Sequence, residues 1–377
     1  MPDPAYPAAR AVASPVAAHF SRHLAHAREL GRKDLAPEAD ASTIEAIIDA
    51  AFWASLRREE GLTPKISLAF VPPDRAGQSL MFQAPLKLRA AALAKLAPAV
   101  ERPGIHLGVW PQDGDLHVWG TTRDIPAFCL VVEVVGSGLL VIKHRSELFG
   151  KFVNVAVLEG DAIKVVDEGG ATVPDCPGLV KSLLGFESQF RGETVNVLVQ
   201  LAASMRRHGR GGALLVVPND GVAWHESVVA PILYAVNPPF SGLADVMAHA
   251  DKESGHHEWQ EDLRRAVEAV AGLTAVDGAT VMNERYALLA FGAKIARRRG
   301  HPAVERIIVT EPVEGSSTTF STPTELGGTR HLSAAQFVHD QKDATALVAS
   351  QDGRFTIFKW SPYHDLVHAH RVEALLL

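Results

Sequence analysis

The chain has 377 residues, of which 47% are hydrophobic and 21% charged, and its formal net charge is −6. This length predicts two domains, because one hydrophobic core seldom serves more than about 250 to 300 residues. The slightly acidic balance excludes a general nucleic-acid binder, so no nucleic-acid partner is expected. Glycines and charged residues interrupt the longest apolar runs before they reach membrane-spanning length, and no membrane partner is expected either.

Cysteine usage indicates the compartment. The chain has two cysteines, Cys129 and Cys176, and no secretory-signal pattern at its beginning. Both features are typical of a reducing environment, so we expect a cytoplasmic protein. Neither cysteine has neighbours that predict catalysis.

The first part of the chain divides into a lead and a helix. Residues 1–40 are rich in Ala, Pro, His and Arg, and we predict a partly mobile N-terminal lead. Beyond it, an N-cap at Ser42 or Thr43 opens an amphipathic helix that stops near Gly61. The apolar face of this helix is predicted to contain Ile44, Ile47, Ile48, Ala51, Phe52 and Leu56.

Residues 41–185 are predicted to form one mostly β module with flanking helices. After the first helix come ISLAFVPP and a helical LKLRAAALAKLAPAV. Six strand-like segments with short Gly and Asp turns follow, namely IHLGVW, LHVWGTT, FCLVVEVV, GLLVIKH, VNVAVLEG and AIKVVDEG.

Residues 186–377 are predicted to form a second module, of α/β class with a mixed sheet and a C-terminal helix. Pro and Gly at residues 175–178 punctuate the chain before two helical stretches, and we place the junction near them. Apolar strand patterns then alternate with helices. Between the last two strand patterns, the QDG of residues 351–353 predicts a hairpin turn.

Two segments of this second module predict a phosphate site. In the first, Asp277 stands beside Gly278 and Ala279, which are small enough for a phosphate or metal to approach the backbone. In the second, glycines at 327 and 328 allow a tight loop before a helix whose free N–H groups attract anions. The donors expected at this helix start are Gly328, Thr329, Arg330, His331 and Ser333.

Four fragments in order and spacing resemble a known family. GRGGALLVVP, VDGATVMNERYALLAFGAKI, GGTRHLSAAQF and DATALVASQDGRFTIF are similar to the DisA-type diadenylate cyclase domain, over roughly residues 190–360. The first module, with EEG near Glu60, GVW and DLHVWG, resembles the presumed sensor domain called DACNV, which is found ahead of such cyclase domains.

The resemblance implies a reaction and its residues. Two ATP molecules would condense to cyclic di-AMP, each 3′-hydroxyl attacking the α-phosphate of the other while pyrophosphate leaves. Asp277 would be the catalytic residue and would hold a divalent metal, Mg²⁺ or Mn²⁺, or orient the hydroxyl. Gly278 and Ala279 would give clearance, and the Thr329 to Ser333 segment would bind phosphates.

The resemblance also implies partners. One domain presents one nucleotide, so two cyclase-like domains would face each other in a homodimer or higher oligomer. The sensor module would bind a small ligand, whose identity the sequence does not specify. The strand tryptophans Trp110 and Trp119 are interpreted mainly as core residues, with stacking on a ligand as the alternative.

One position departs from the family pattern. The family motif continues with arginine after Thr-Arg-His, whereas this chain has Leu332, which we interpret as packing under the helix. A missing phosphate contact costs about 1.5 to 3 kcal/mol, enough to slow an enzyme tenfold to a hundredfold. Lys294 or the basic run 297–299 could compensate. The alternatives are a nucleotide-binding sensor or interaction protein without turnover, and a cyclase that makes another dinucleotide.

Two groups of histidines have compositions or spacings that also occur in metal sites. His364 and His368 have the i, i+4 spacing of a helix face, with His370 nearby, but a packing or surface helix is favoured. His249, His256 and His257 lie among acidic residues and are interpreted as a solvated polar loop.

Overall fold

A computed structural model describes residues 5–145, 152–185, 192–250 and 257–377. The chain separates into two compact units, Met1–Val166 with Leu377, and Asp167–Leu376. We call them the N-terminal unit and the C-terminal unit. Each contains one mixed β-sheet with helices, which confirms the predicted α/β class. Among the described residues, no helix is both long enough and apolar enough to cross a membrane.

Residues 7–29 of the predicted lead form a helix, α1 (Pro7–Glu29). Pro7 occupies the first turn, where a missing N–H costs nothing. Val12, Val16, Phe20 and Leu24 follow one another four residues apart and are all buried, so the segment carries a helical period that its Ala-rich and Pro-rich composition obscures.

The second helix, α2 (Ala41–Ser55), follows the predicted apolar pattern. Its N-cap is Asp40 rather than Ser42 or Thr43, because the Asp40 carboxylate accepts a 2.7 Å hydrogen bond from the N–H of Thr43. The predicted positions Ile44, Ile47, Ile48 and Ala51 are buried, whereas Leu56 at the C-cap is exposed.

The N-terminal sheet has eight strands in the order β2-β4-β3-β1-β5-β6-β7-β8. Among the described strands of this sheet, only β1 and β3 pair in parallel. In sequence, β2 and then α3 lie between these two strands. The remaining pairs are antiparallel. The elements are β1 (Ile66–Phe70), β2 (Leu80–Lys87), α3 (Ala90–Val100), β3 (His106–Gln112), β4 (Asp115–Thr122), β5 (Leu130–Gly136), β6 (Leu139–Arg145), β7 (Phe152–Glu159) and β8 (Ala162–Val165).

The two faces of this sheet carry different residues. Helices α1 to α3 pack with the face that contains Leu68, Leu107 and Val132. On the opposite face, Trp119 is buried and donates its indole N–H to the carbonyl of Val71 at 2.8 Å. This places Trp119 in the core.

The C-terminal sheet has nine strands in the order β10-β12-β11-β9-β15-β16-β17-β13-β14, with β9·β11 and β13·β17 parallel. Its elements are α4 (Gly178–Leu183), α5 (Gly192–Arg207), β9 (Gly212–Val217), β10 (Tyr234–Phe240), α6 (Gly242–Ala248), α7 (His257–Leu273), β11 (Ala279–Asn283), β12 (Leu288–Ala293), β13 (Ile307–Thr310), β14 (Thr319–Ser321), α8 (Pro323–Leu326), α9 (Thr329–Asp340), β15 (Thr345–Ala349), β16 (Phe355–Ser361) and β17 (Leu366–Arg371).

Helix α9 packs against β9, β15, β16 and β17, with Phe337 fully buried beside Leu215 and Phe358. The predicted turn at residues 351–353 joins β15 and β16, which pair in antiparallel register. This hairpin was therefore predicted correctly.

The predicted C-terminal helix is wrong, because residues 366–371 form strand β17 between β16 and β13. Val367 and Ala369 face the core, and His368 and His370 occupy the alternate positions. The two imidazoles stack at 3.8 Å between centroids, and each hydrogen-bonds the hydroxyl of Thr310 at 3.0 Å. His364 lies before the strand, so the i, i+4 helix-face argument for these histidines does not apply.

The other histidine group is described only in part. His249 bonds through Nδ1 to the carbonyl of Asp245 at 2.9 Å. His256 and the side chain of His257 lie outside the described residues.

Candidate functional site

A cavity of about 500 Å³ in the C-terminal unit brings together both segments that the sequence singled out. It opens where β9 and β11 begin, where β12 and β15 end, and where α9 starts. All eight residues predicted for the site line it, namely Asp277, Gly278, Ala279, Gly328, Thr329, Arg330, His331 and Ser333.

Three alanines from adjacent strands make up part of the cavity wall. Ala279, the first residue of β11, pairs with Ala213 of β9 on one side and with Ala293 of β12 on the other. All three are buried. Because an alanine projects only a methyl group, this row leaves room above the sheet for a ligand.

Gly278 is required by its surroundings. Its φ of +117° lies in the region that favours glycine, and an added Cβ would stand 2.4 Å from the carbonyl carbon of Gly292. The strand β11 can therefore enter the sheet beside β12 only with glycine at this position. The space that glycine leaves at position 278 of the Asp-Gly-Ala pattern is therefore needed by strand β12.

Asp277 and Lys294 form an ion pair at the cavity edge. The carboxylate is 87% exposed, and Lys294 Nζ donates to Oδ2. The hydrogen bond from Lys294 and its charge, together with the charge of Arg330, lower the pKa of Asp277. The carboxylate is thus ionised at neutral pH and turned toward the same space as two cations.

The start of α9 supplies donors. Gly328 is its N-cap and offers no side chain, and the N–H groups of His331 and Leu332 bond to the Gly328 carbonyl. The N–H groups of Thr329 and Arg330 precede these bonds in the first turn, and both residues line the cavity. A helix start with such N–H groups and an arginine attracts anions.

His331 lines the cavity but is only 2% exposed. Burial lowers its pKa, so the imidazole is neutral at pH 7. Its Nε2 lies 3.4 Å from the Thr356 hydroxyl. The chain passes directly over the ring at Gly327, where an added Cβ would stand 2.4 Å from Nδ1. His331 therefore also anchors the helix start.

Leu332 and the cations that could compensate for it differ in where they lie relative to the cavity. Leu332 is 37% exposed rather than packed under the helix. Lys294, one of two possible compensating cations, lines the cavity. In the basic run 297–299, Arg298 pairs instead with Glu226.

Some lining residues carried no sequence signal. Ala213, Ala293, Ile295 and Ser350 are unremarkable in sequence and join the site only through strand register. Lys294 follows directly after Ala293, the partner of Ala279, so a correct pairing of β11 with β12 would have located it.

Asp277 is the carboxylate of the cavity lining with which a divalent cation could be held together with a bound phosphate. Asp277 Oδ2 is engaged by Lys294, and the carboxylate is 87% exposed and belongs to the cavity lining. Mg²⁺ is commonly held by one or two carboxylates together with phosphate oxygens. Asp277 alone would provide the protein's part of that set.

Comparison with known proteins identifies part of the N-terminal unit. Residues 33–123 match the model of the family described as "Probable sensor domain DACNV". The match covers α2, α3 and strands β1 to β4. None of the curated proteins matches the chain.

Proposed function

We propose that this chain, which carries a DACNV sensor domain at residues 33–123, is a diadenylate cyclase that condenses two ATP into cyclic di-AMP through its C-terminal unit. One observation carries the proposal. Eight residues from two separate segments, selected by their resemblance to a cyclase motif, line a single cavity whose charged side chains are Asp277, Lys294 and Arg330.

Each group has a task in this reaction. Arg330 and the first N–H groups of α9 bind the triphosphate, and Lys294 adds a second cation to the same cavity. Asp277 orients the 3′-hydroxyl and accepts its hydrogen bond. A Mg²⁺ or Mn²⁺ ion held by Asp277 would add positive charge beside the reacting phosphate. The nucleoside lies against the three alanines, whose side chains have no polar groups to compete for its hydrogen bonds.

The reaction requires two nucleotides in opposite orientation. Each hydroxyl forms a bond to the α-phosphorus of the other nucleotide, and each phosphorus releases pyrophosphate. A single cavity of about 500 Å³ suits one nucleotide. We therefore propose a homodimer or higher oligomer in which two such cavities face each other.

Lys294 offsets the departure at Leu332. The family arginine is absent at that position, but Lys294 brings a charge into the same cavity and pairs with the proposed catalytic carboxylate. A nucleotide-binding sensor or interaction protein without turnover is the second candidate, favoured by the exposed leucine in place of a phosphate-binding arginine.

The test is product formation. Purified protein is incubated with ATP and Mn²⁺ or Mg²⁺, and the products are separated and weighed by mass spectrometry. We expect cyclic di-AMP from the wild type, and a loss of at least about a hundredfold in Asp277→Asn with ATP binding retained. Asp220→Asn is the matched control, since Asp220 is exposed in the loop after β9, away from the lining residues.

Other outcomes decide between the candidates. If the wild type binds ATP but yields no product while Leu332→Arg does, the non-catalytic sensor is correct. A different cyclic dinucleotide would show another substrate preference. If neither protein binds ATP, the nucleotide site itself is refuted.

A further inference from the structure

The two units share one strand arrangement. Seven consecutive strands of the N-terminal sheet, β2-β4-β3-β1-β5-β6-β7, occur in the same order as β10-β12-β11-β9-β15-β16-β17. The directions also agree, since β1·β3 and β9·β11 are the parallel pairs and the corresponding neighbours are antiparallel. In sequence, a helix precedes β1 and β9, and another helix precedes β3 and β11.

Strand register relates individual residues of the two sheets. In each unit, the first residue of the second parallel strand pairs with the last residue of the next strand: His106 with Thr122, and Ala279 with Ala293. His106 thus corresponds to Ala279. The second residue of the first parallel strand is Ser67 in one unit and Ala213 in the other. The three alanines of the C-terminal cavity, Ala213, Ala279 and Ala293, therefore have the polar counterparts Ser67, His106 and Thr122 in the N-terminal unit.

The N-terminal unit has a cavity at this corresponding place. It measures about 510 Å³ and opens where β1 and β3 begin and β5 ends. We call it the N-terminal cavity. Its polar lining consists of Lys65, Ser67, Glu101, Arg102, His106, Glu133 and Lys143.

Ser67 and His106 form a buried donor group in the N-terminal cavity. The Ser67 hydroxyl lies 2.7 Å from His106 Nδ1, and both residues are buried. Burial, then the charge of Lys143, lowers the pKa of His106 to about 4, so the ring is neutral at pH 7. When the hydroxyl donates to Nδ1, the proton of the neutral ring stands on Nε2 as a donor.

Lys143 is a largely buried cation in the N-terminal cavity. Its side chain is 14% exposed, forms an ion pair with Glu133, and lies 4.6 Å from the centre of the Phe152 ring. The exposed Lys65 and Arg102 stand at the mouth. An ammonium retains further N–H donors when one is paired, so cations and a neutral donor converge on one space. Such a lining suits a phosphate group.

Two structural features on which the proposed cyclase reaction depends have no counterpart in the N-terminal cavity. Gly104 lies two residues before the first residue of β3. The corresponding position, two residues before the first residue of β11, is occupied by Asp277. Between β4 and β5 the chain forms no helix, whereas α9 lies between β12 and β15. The N-terminal cavity therefore has neither a carboxylate at the position of Asp277 nor a helix start for a triphosphate, and it suits binding without turnover.

We propose that the N-terminal cavity is the ligand site of the N-terminal unit and binds a phosphate monoester of a nucleoside or sugar. The cavity extends beyond the sensor match at residues 33–123, since Glu133 and Lys143 also line it. Lys143, Lys65 and Arg102 hold the phosphate, the Ser67–His106 pair donates to it, and Glu133 accepts from a sugar hydroxyl. The proposal is independent of turnover in the C-terminal unit.

Calorimetric titration of the full chain with AMP, ribose 5-phosphate and inorganic phosphate tests the proposal. In the Arg330→Ala background, which weakens the C-terminal site, we expect one remaining site per chain for AMP or ribose 5-phosphate. Lys143→Met/Glu133→Gln, which removes both charges together, should weaken that site at least about tenfold. Lys65→Met/Arg102→Met should weaken it without touching the buried sheet, and Lys95→Met on the exposed side of α3 should not change it.

The outcomes separate the two proposals. Binding of AMP but not ribose 5-phosphate identifies a nucleoside ligand, and equal binding identifies the sugar phosphate; both support the site. If neither compound binds, or if binding is unchanged in both Lys143→Met/Glu133→Gln and Lys65→Met/Arg102→Met, the N-terminal site is refuted. Loss of ATP binding on Arg330→Ala alone bears only on the C-terminal unit.

Discussion

Gly278 is the residue on which the shape of the C-terminal cavity most directly depends. Replacement by alanine would bring a Cβ to 2.4 Å from the Gly292 carbonyl carbon at a φ of +117°. We expect Gly278→Ala to lower the free energy of unfolding by about 1 to 3 kcal/mol and to weaken ATP binding. Thermal unfolding and ATP titration measure both effects.

The matched control for Gly278→Ala is Gly272→Ala. No atom lies within 4 Å of a Cβ added at Gly272 in α7, so alanine there should keep stability or raise it by up to about 1 kcal/mol. Equal stability of the two variants would contradict the steric argument.

Buried histidines predict an acid-sensitive fold. Burial lowers the pKa of both His106 and His368 from 6.5 to about 4. The unfolded chain then binds more protons than the folded one between these values, so stability is full above pH 6.5 and declines as the pH falls toward 4. A difference of 2.5 in pKa corresponds to at most about 3 kcal/mol for each ring.

Denaturant unfolding at pH 7.5 and pH 4.5 checks this dependence. His106→Asn should make the loss between the two pH values smaller. His26→Asn is the control, since the His26 side chain is 71% exposed. An unchanged pH dependence in His106→Asn would refute the contribution of this ring.

At the scale of elements, the start of α9 depends on two consecutive glycines with different roles. A Cβ at Gly327 would stand 2.4 Å from the His331 ring, whereas one at Gly328 would meet no atom within 4 Å. We expect Gly327→Ala to displace the helix start and to lower the melting temperature. Gly328→Ala should lower the melting temperature less, since it meets no steric conflict and loses only the preference for glycine at an N-cap. Identical melting temperatures for the two variants would contradict this difference.

The spacing of apolar residues predicted most helices and strands. It failed where a helical spacing and a strand alternation occur in the same segment. The strands around Asp277, the hairpin at residues 351–353 and α2 follow clear apolar patterns. Residues 364–371 instead have histidines at a helical spacing as well as an alternating pattern, and pairing with both β16 and β13 selects the strand. Strands β2 and β10 were missed because their residues are mostly exposed and carry no buried period.

At the scale of the whole molecule, the proposed reaction needs two copies of the C-terminal unit. Each copy offers one cavity of nucleotide size, so we expect the rate per molecule to fall on dilution, with activity proportional to the square of the protein concentration at low concentration. Sedimentation at the same concentrations measures the dimer fraction. A rate per molecule that stays constant in a strictly monomeric sample would refute the facing-site arrangement.

The sequence by itself determined the α/β class, most strands and eight of the residues that line the C-terminal cavity. The spacing of apolar residues, and small or charged residues beside a strand, are local properties that a single segment displays. Only the tertiary structure decided which distant residues meet. Lys294 reaches Asp277 through the pairing of β11 with β12, and Ser67 reaches His106 through a parallel pair separated by a crossover. Register and strand order are set by packing of the whole sheet, which no single segment specifies.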